Sequence, residues 1–189
     1  MIKNIPCVIL SGGKSSRMGE DKSLLPFKNF DTMIEYQYDK LKDIFENVYI
    51  SSKNKTFPFT KNIIFDTIQD TSSPMVALAS IFNSLHNDKI FIITVDTPFV
   101  SKQSIFTMLK SSHNYDITIT KTKGDKTHNL CGVFSKSLYP NIQQYLANDI
   151  HRIGMLIKEN KTNIVFCKNE DEFLNVNTKE DYQKALKSQ

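Results

Sequence analysis

The 189-residue chain has no tryptophan and only three cysteines, Cys7, Cys131 and Cys167. An odd number of widely separated cysteines matches neither a disulfide framework nor a C-x-x-C metal site. Each lies in an apolar stretch, where a thiol acts as a small hydrophobe. The four histidines, His86, His113, His128 and His151, lack H-x-x-x-H spacing, so no zinc site is expected and each reads as a solvated side chain near a loop. No apolar run approaches the roughly 20 residues that cross a bilayer, and residues 1–6 are too short for a signal peptide. These absences point to a cytoplasmic protein that is neither disulfide-stapled nor membrane-bound. Arginine is scarce too: among 24 basic residues only Arg17 and Arg152 are arginine. The lysines are spread along the chain and the net charge is +4, which argues against a nucleic-acid face and leaves an anionic small molecule compatible.

What is present is an ordinary globular composition, with length for one core and too little for two full domains. Residues 1–189 therefore read as a single domain. Short β-branched runs alternate with stretches of helical spacing, which predicts a three-layer α/β/α fold with a mainly parallel, Rossmann-like sheet. Strands are expected at 7–10, 48–51, 63–65, 90–95, 117–120, 130–134 and 164–166. The run IFIITV at 90–95 is apolar throughout, as a central strand covered on both faces must be. Helix starts are marked by Thr32 with Glu35, Pro74, Ser101, and Thr178 with Asp181. Gly124 marks a turn between two strands, a small antiparallel excursion expected at one sheet edge. Residues 52–62 and 168–172 read as surface connections, the first long enough to be mobile.

Three of the six glycines, Gly12, Gly13 and Gly19, fall within eight residues directly after the first strand, in VILSGGKSSRMGEDKSLLPF. Glycine lets backbone approach a ligand closely, and successive exposed N–H groups form an anion-binding nest. A Walker A loop needs a glycine where Val8 stands, and the G-x-G-x-x-G spacing also fails. What remains is G-G-x(3)-R-M-G-x(2)-K, a compact loop in which Arg17 can fork onto phosphate oxygens and Lys22 supplies a movable point charge. Asp96 ends the most apolar strand, beside a turn set by Pro98, and such a carboxylate suits a hard cation that bridges phosphates. We assign it Mg²⁺. Asn175 and Asn177 alternate, so both face one side of a short extended segment, where neutral amides can coordinate a metal or read a polar heterocycle.

The string LSGGKSSRMGEDKSLLPF resembles the L-A-G-G-x(3)-R-M-G-x-D-K signature of nucleotidyltransferases that add a nucleoside monophosphate to a phosphorylated acceptor, in particular the bacterial molybdenum cofactor guanylyltransferases. Residues 64–66 with 73–75, VDTPFV at 95–100 and FLNVNTKED at 173–181 resemble the same family in the same order. Departures are Ser11 for the usual Ala, Ser51 where Asn is frequent, and Ser73 and Ala77 where glycines are common. The resemblance implies transfer of GMP from GTP to the terminal phosphate of molybdopterin, giving the guanine dinucleotide cofactor and pyrophosphate. It further implies nucleotide contacts from Leu10, Ser11, Gly12, Gly13, Lys22, Ser51, Asp66 and Asp96. On the same resemblance Arg17, Lys22 and Asp96 are expected to carry the catalysis, with Mg²⁺ on Asp96 and the pterin beside Asn175 and Asn177. The partners so implied are GTP and a molybdopterin-type cofactor, with other cofactor-assembly proteins or recipient molybdoenzymes beyond them. Two other readings stay open: a cytidylyltransferase acting on the same pterin or on a sugar or polyol phosphate, and a non-catalytic nucleotide-binding module. The Gly12-Gly13 pair favours guanine.

Overall fold

A seven-stranded sheet organises the computed structural model, which describes residues 1–12 and 21–187. Its strands are β1 (Cys7–Leu10), β2 (Val48–Ser52), β3 (Ile63–Phe65), β4 (Lys89–Thr94), β5 (Ile117–Lys121), β6 (Thr127–Ser135) and β7 (Thr162–Phe166), in the order β3-β2-β1-β4-β6-β5-β7. All run parallel except β6, which is antiparallel to both its neighbours. Among the described residues, α1 (Met33–Lys42), α2 (Pro74–Ser84), α3 (Lys102–Lys110), α4 (Tyr139–Ala147) and α5 (Ile153–Glu159) lie between strands, and α6 (Lys179–Lys187) follows β7.

Strand alternation divides the core in two. Cys7, Ile9, Phe91, Ile93 and Val133 meet α1, α3 and α6 on one face. Val8, Leu10, Ile90, Ile92, Ile117 and Phe134 meet α2, α4 and α5 on the other. This is the three-layer arrangement that period-2 runs with no polar face require. The helix starts are chemically explicit. Thr32 accepts from Glu35 N–H at 3.2 Å, Ser73 from Val76 N–H at 3.2 Å with Pro74 at the first turn, and Ser101 from Ser104 N–H at 3.1 Å. Thr178 and Asp181 form a reciprocal capping box, with bonds of 3.1 and 2.9 Å. Among the described residues, no helix is long and apolar enough to cross a membrane.

Several expectations are corrected. The antiparallel excursion is not at an edge: β6 lies inside the sheet between β4 and β5, and β7 closes that side by pairing parallel to β5. Residues 52–62 are anchored rather than a loose surface connection. Phe57 is 3% exposed, Phe59 packs on Tyr38 with ring centroids 5.4 Å apart, and Thr60 Oγ1 donates to the Tyr38 hydroxyl at 2.9 Å. His128 is not solvated: it is buried, its ring lies 4.7 Å from that of Phe173, and burial pulls its pKa down. All three cysteines are free thiols; Cys7 and Cys131 are buried, and burial pushes the Cys131 thiol up to about 12, far from a reactive thiolate.

Candidate functional site

The strand order reverses between β1 and β4, the point at which open α/β sheets bind ligands beyond their carboxyl ends. Ser11 and Gly12 leave the end of β1 there, and Asp96 leaves the end of β4. Val95 N–H still donates to Leu10 O at 3.1 Å, which fixes the two exits side by side. On the other flank Ser11 N–H donates to Ser51 O at 2.9 Å and Asp66 N–H to Ser52 O at 3.1 Å. Leu10, Ser11, Ser51 and Asp66 therefore share one sheet edge, as the sequence reading expects. Gly12 is exposed, and a Cβ there would meet nothing within 4 Å among the described residues, so its backbone is open to a ligand. Gly13, Arg17 and Gly19 lie outside the described residues.

The charged centre is Lys22. It opens a 3-10 turn, Lys22–Leu24, that Asp21 caps by accepting from Ser23 N–H at 3.0 Å and Ser23 Oγ at 2.8 Å. The cap is itself held by an ion pair from Lys55 to the second Asp21 oxygen. The Lys22 ammonium donates to Asp96 Oδ2 at 2.8 Å, Asn177 Oδ1 at 2.8 Å and Val176 O at 3.2 Å. Val176 N–H donates back to Asp96 O at 2.8 Å. Residues more than 150 positions apart in sequence thus meet at one point, and three oxygens converge on a single cation. Asp96 and Lys22 side chains are 18% and 16% exposed, buried enough for their charges to interact strongly yet reachable from solvent.

Three oxygens at expected contact residues are buried without a protein hydrogen bond among the described residues: Ser11 Oγ, Asp66 Oδ1 and Asn175 Oδ1. Buried polar atoms are almost always satisfied, and a bound ligand is one way in which such exceptions are met. Burial raises the Asp66 pKa, an effect that Lys53 opposes. Asn177 reaches Lys22, whereas Asn175 does not; between them Val176 is buried in the core. Ser73, one of the departures, earns a local role: its hydroxyl caps α2 and lies 2.9 Å from His151 Nδ1.

Sequence reasoning missed Asp21 and Lys55, and with them Gln37 and Lys40 of α1, which reach the loop carrying Asp96. Gln37 had a readable signal, a polar residue inside the apolar stripe Met33, Ile34 and Leu41. A cleft of about 780 Å³ lined by Lys3, His86, Lys89, Lys110 and His113 opens at the amino ends of β1 and β4, and contains none of the expected site residues.

Comparison with known proteins shows the family and the fold. The MobA-like NTP transferase domain matches residues 7–163. The chain is 42% identical over 185 residues to a molybdenum cofactor guanylyltransferase of Campylobacter jejuni, covering 97% of this chain and 96% of that one. It is 34% identical to the corresponding Helicobacter pylori protein, covering 98% and 94%. Among solved structures, a molybdopterin-guanine dinucleotide biosynthesis protein A from Archaeoglobus fulgidus superposes with a TM-score of 0.80 over 97% of both chains at 16% identity, a likeness of fold.

Proposed function

We propose, from the premise that this chain belongs to the MobA-like NTP transferase family, that it transfers GMP from GTP to the terminal phosphate of molybdopterin and releases pyrophosphate. The observation that carries this reading is the convergence of Lys22, Asp96 and Asn177 beside the Gly12 backbone, at the carboxyl edge of β1 and β4. Residues beyond 163, outside the family match, belong to the same working unit, because Val176 and Asn177 complete the Lys22 contacts.

The reaction joins two anions, and the acceptor phosphate is itself the nucleophile. The chain's task is therefore alignment and charge neutralisation. Gly12 and Gly13 offer backbone N–H groups to the triphosphate, and Arg17 and Lys22 supply positive charge. Lys22 has to swing from Asp96 toward the phosphates, an exchange of one oxygen partner for another. Asp66, buried with one oxygen unpartnered, accepts from the N1–H and 2-amino donors of guanine. Asn175, likewise unpartnered, faces the pterin.

The donor set suits Mg²⁺: an all-oxygen cluster of one carboxylate, one carboxamide and one carbonyl already encloses an ammonium. Asp96 and Asn177 would hold the ion, with water and phosphate oxygens completing its shell. Once bound, Mg²⁺ supplies charge neutralisation on the phosphates and the leaving pyrophosphate.

Calorimetric titration with Mg·GTP, Mg·CTP and Mg·ATP, together with pyrophosphate release in the presence of molybdopterin, tests the assignment. GTP is expected to bind about 5- to 150-fold more tightly than ATP, the effect of one buried mismatched polar group. Asp96→Asn is expected to lower turnover at least about 10²-fold while the fold survives. Tighter CTP binding would reassign the chain as a cytidylyltransferase, and binding without pyrophosphate release would make it a non-catalytic module.

A further inference from the structure

Two polar side chains on one face of α1, Gln37 buried and Lys40 half-buried, have no part in the chemistry above. Gln37 is 1% exposed, and its carboxamide donates to Thr94 O at 3.1 Å and Thr97 O at 3.4 Å. One turn further on, the Lys40 ammonium donates to Pro98 O at 2.8 Å and Val100 O at 2.6 Å. Four hydrogen bonds thus run from residues i and i+3 of a single helix to the stretch that connects β4 to α3. Asp96 lies in the middle of that stretch.

The arrangement is costly for a helix whose buried face would be cheapest if apolar. Carbonyl acceptors offset the water lost by Gln37 Nε2 and by the Lys40 ammonium, while Gln37 Oε1 is buried without a hydrogen bond among the described residues. Burial lowers the Lys40 pKa to about 8, with Cys131 and Glu172 raising it and Lys28 lowering it further. The acceptors explain the residues. The turn through Pro98, which has no N–H of its own, directs the carbonyls of residues 94, 97, 98 and 100 toward α1. Thr97 Oγ1 satisfies part of the need by donating to Thr94 O at 2.9 Å, and α1 satisfies the rest. Apolar residues at 37 and 40 would fill the same space and leave the loop's carbonyls unmatched, free to rearrange.

We propose that Gln37 and Lys40 are positioning residues for the transfer reaction: they fix the β4–α3 loop in the shape that presents the Asp96 carboxylate to the cation and nucleotide. The inference rests on the reading of Asp96 as the cation ligand. Neither residue touches substrate; both act through the carbonyls of the loop.

Three variants test it: Lys40→Met, which keeps most of the stem and removes the donors, Lys40→Arg, which keeps charged donors, and Gln37→Met. Mn²⁺ titration of each protein saturated with GTP, read by the paramagnetic signal of free Mn²⁺, measures the site apart from turnover. Lys40→Met and Gln37→Met are expected to weaken Mn²⁺ binding about 10- to 100-fold, as loss of a ligand-orienting partner does. Lys40→Arg is expected to recover most of it. Should Lys40→Met fail to fold, Gln37→Met reads the same loop through its other anchor. A lowered melting temperature with unchanged Mn²⁺ affinity in these variants would overturn the proposal and leave both residues as core supports. Asp96→Asn, measured in parallel, separates the two claims. If it too leaves Mn²⁺ affinity unchanged, the assignment of Asp96 fails and the positioning role falls with it; if only Asp96→Asn weakens binding, the positioning role alone is lost.

Discussion

Asp66 is a carboxylate placed against the stability of its own fold. It is 8% exposed and one oxygen has no hydrogen bond among the described residues. Its pKa is raised by burial, so the folded chain holds the proton more tightly than the unfolded chain does. Between the ordinary carboxylate pKa and the raised folded value, stability therefore falls as pH rises; above both, the loss is complete. Asp66→Asn is expected to raise the melting temperature at pH 7 by about 2–4 °C for about 1 kcal/mol, with the gap closing as the pH drops below the ordinary carboxylate range. The same variant is expected to bind GTP about tenfold more weakly. Scanning calorimetry and titration of one preparation give both numbers, and a less stable variant with unchanged GTP affinity would remove Asp66 from the site. Asp66 and Asp96 were legible in sequence because each follows a strand end, Asn177 because it precedes the Thr178 cap, and Lys22 because it closes the glycine-rich loop motif. Lys40 and Lys55 were not, since a lysine bound to carbonyls or to a distant Asp21 has the same local surroundings in sequence as a solvated one.

At the scale of elements, β6 is the departure from a parallel sheet, and its fit to β5 is unusually tight. A Cβ on Gly132 would lie 2.0 Å from Thr118 O, so no side chain is possible without separating the two strands. Next to this contact the pairing register shifts, Gly132 facing Ile119 and His128 facing Thr120, so that residues 129–131 of β6 bulge from the ladder and His128 is set opposite Thr120, its ring against Phe173. Gly132→Ala is expected to cost at least about 1–3 kcal/mol, measured as a lower urea midpoint with little change in slope; unaltered stability would mean that the strands separate freely. All seven strands were visible from β-branched runs, and four helix starts from their caps. The place of β6 was not, because a turn at Gly124 (φ 68°) reports a hairpin without saying which strand will cover its outer side. The anchoring of residues 52–62 was hidden for a similar reason: Phe57 and Phe59 sit in a polar stretch and pack on each other, and the Tyr38 that Phe59 meets lies on α1.

Taken as a whole, the molecule is a sheet between two apolar layers with its polar chemistry gathered at one edge. That edge was predictable, since crossovers and strand direction leave a single carboxyl rim where the order reverses. The partner choices within the rim were not, and the pairing of Lys22 with Asp96 has a consequence for how fast substrate arrives. The Lys22 ammonium cancels the Asp96 carboxylate, so an incoming triphosphate meets that carboxylate already neutralised. Lys22→Met therefore does two things, deleting an attractor and uncovering a repeller. The association rate of GTP is expected to fall more for this variant than for loss of a surface lysine such as Lys102, and the difference is expected to shrink as ionic strength rises and screening shortens the reach of both charges. Stopped-flow mixing across a salt series distinguishes this from an effect confined to the bound state, which would alter dissociation and leave capture untouched. A salt-dependent loss of capture would make this ion pair more than a static strut: it would set the rate of diffusive encounter, screening the Asp96 charge until the guest itself breaks the pair.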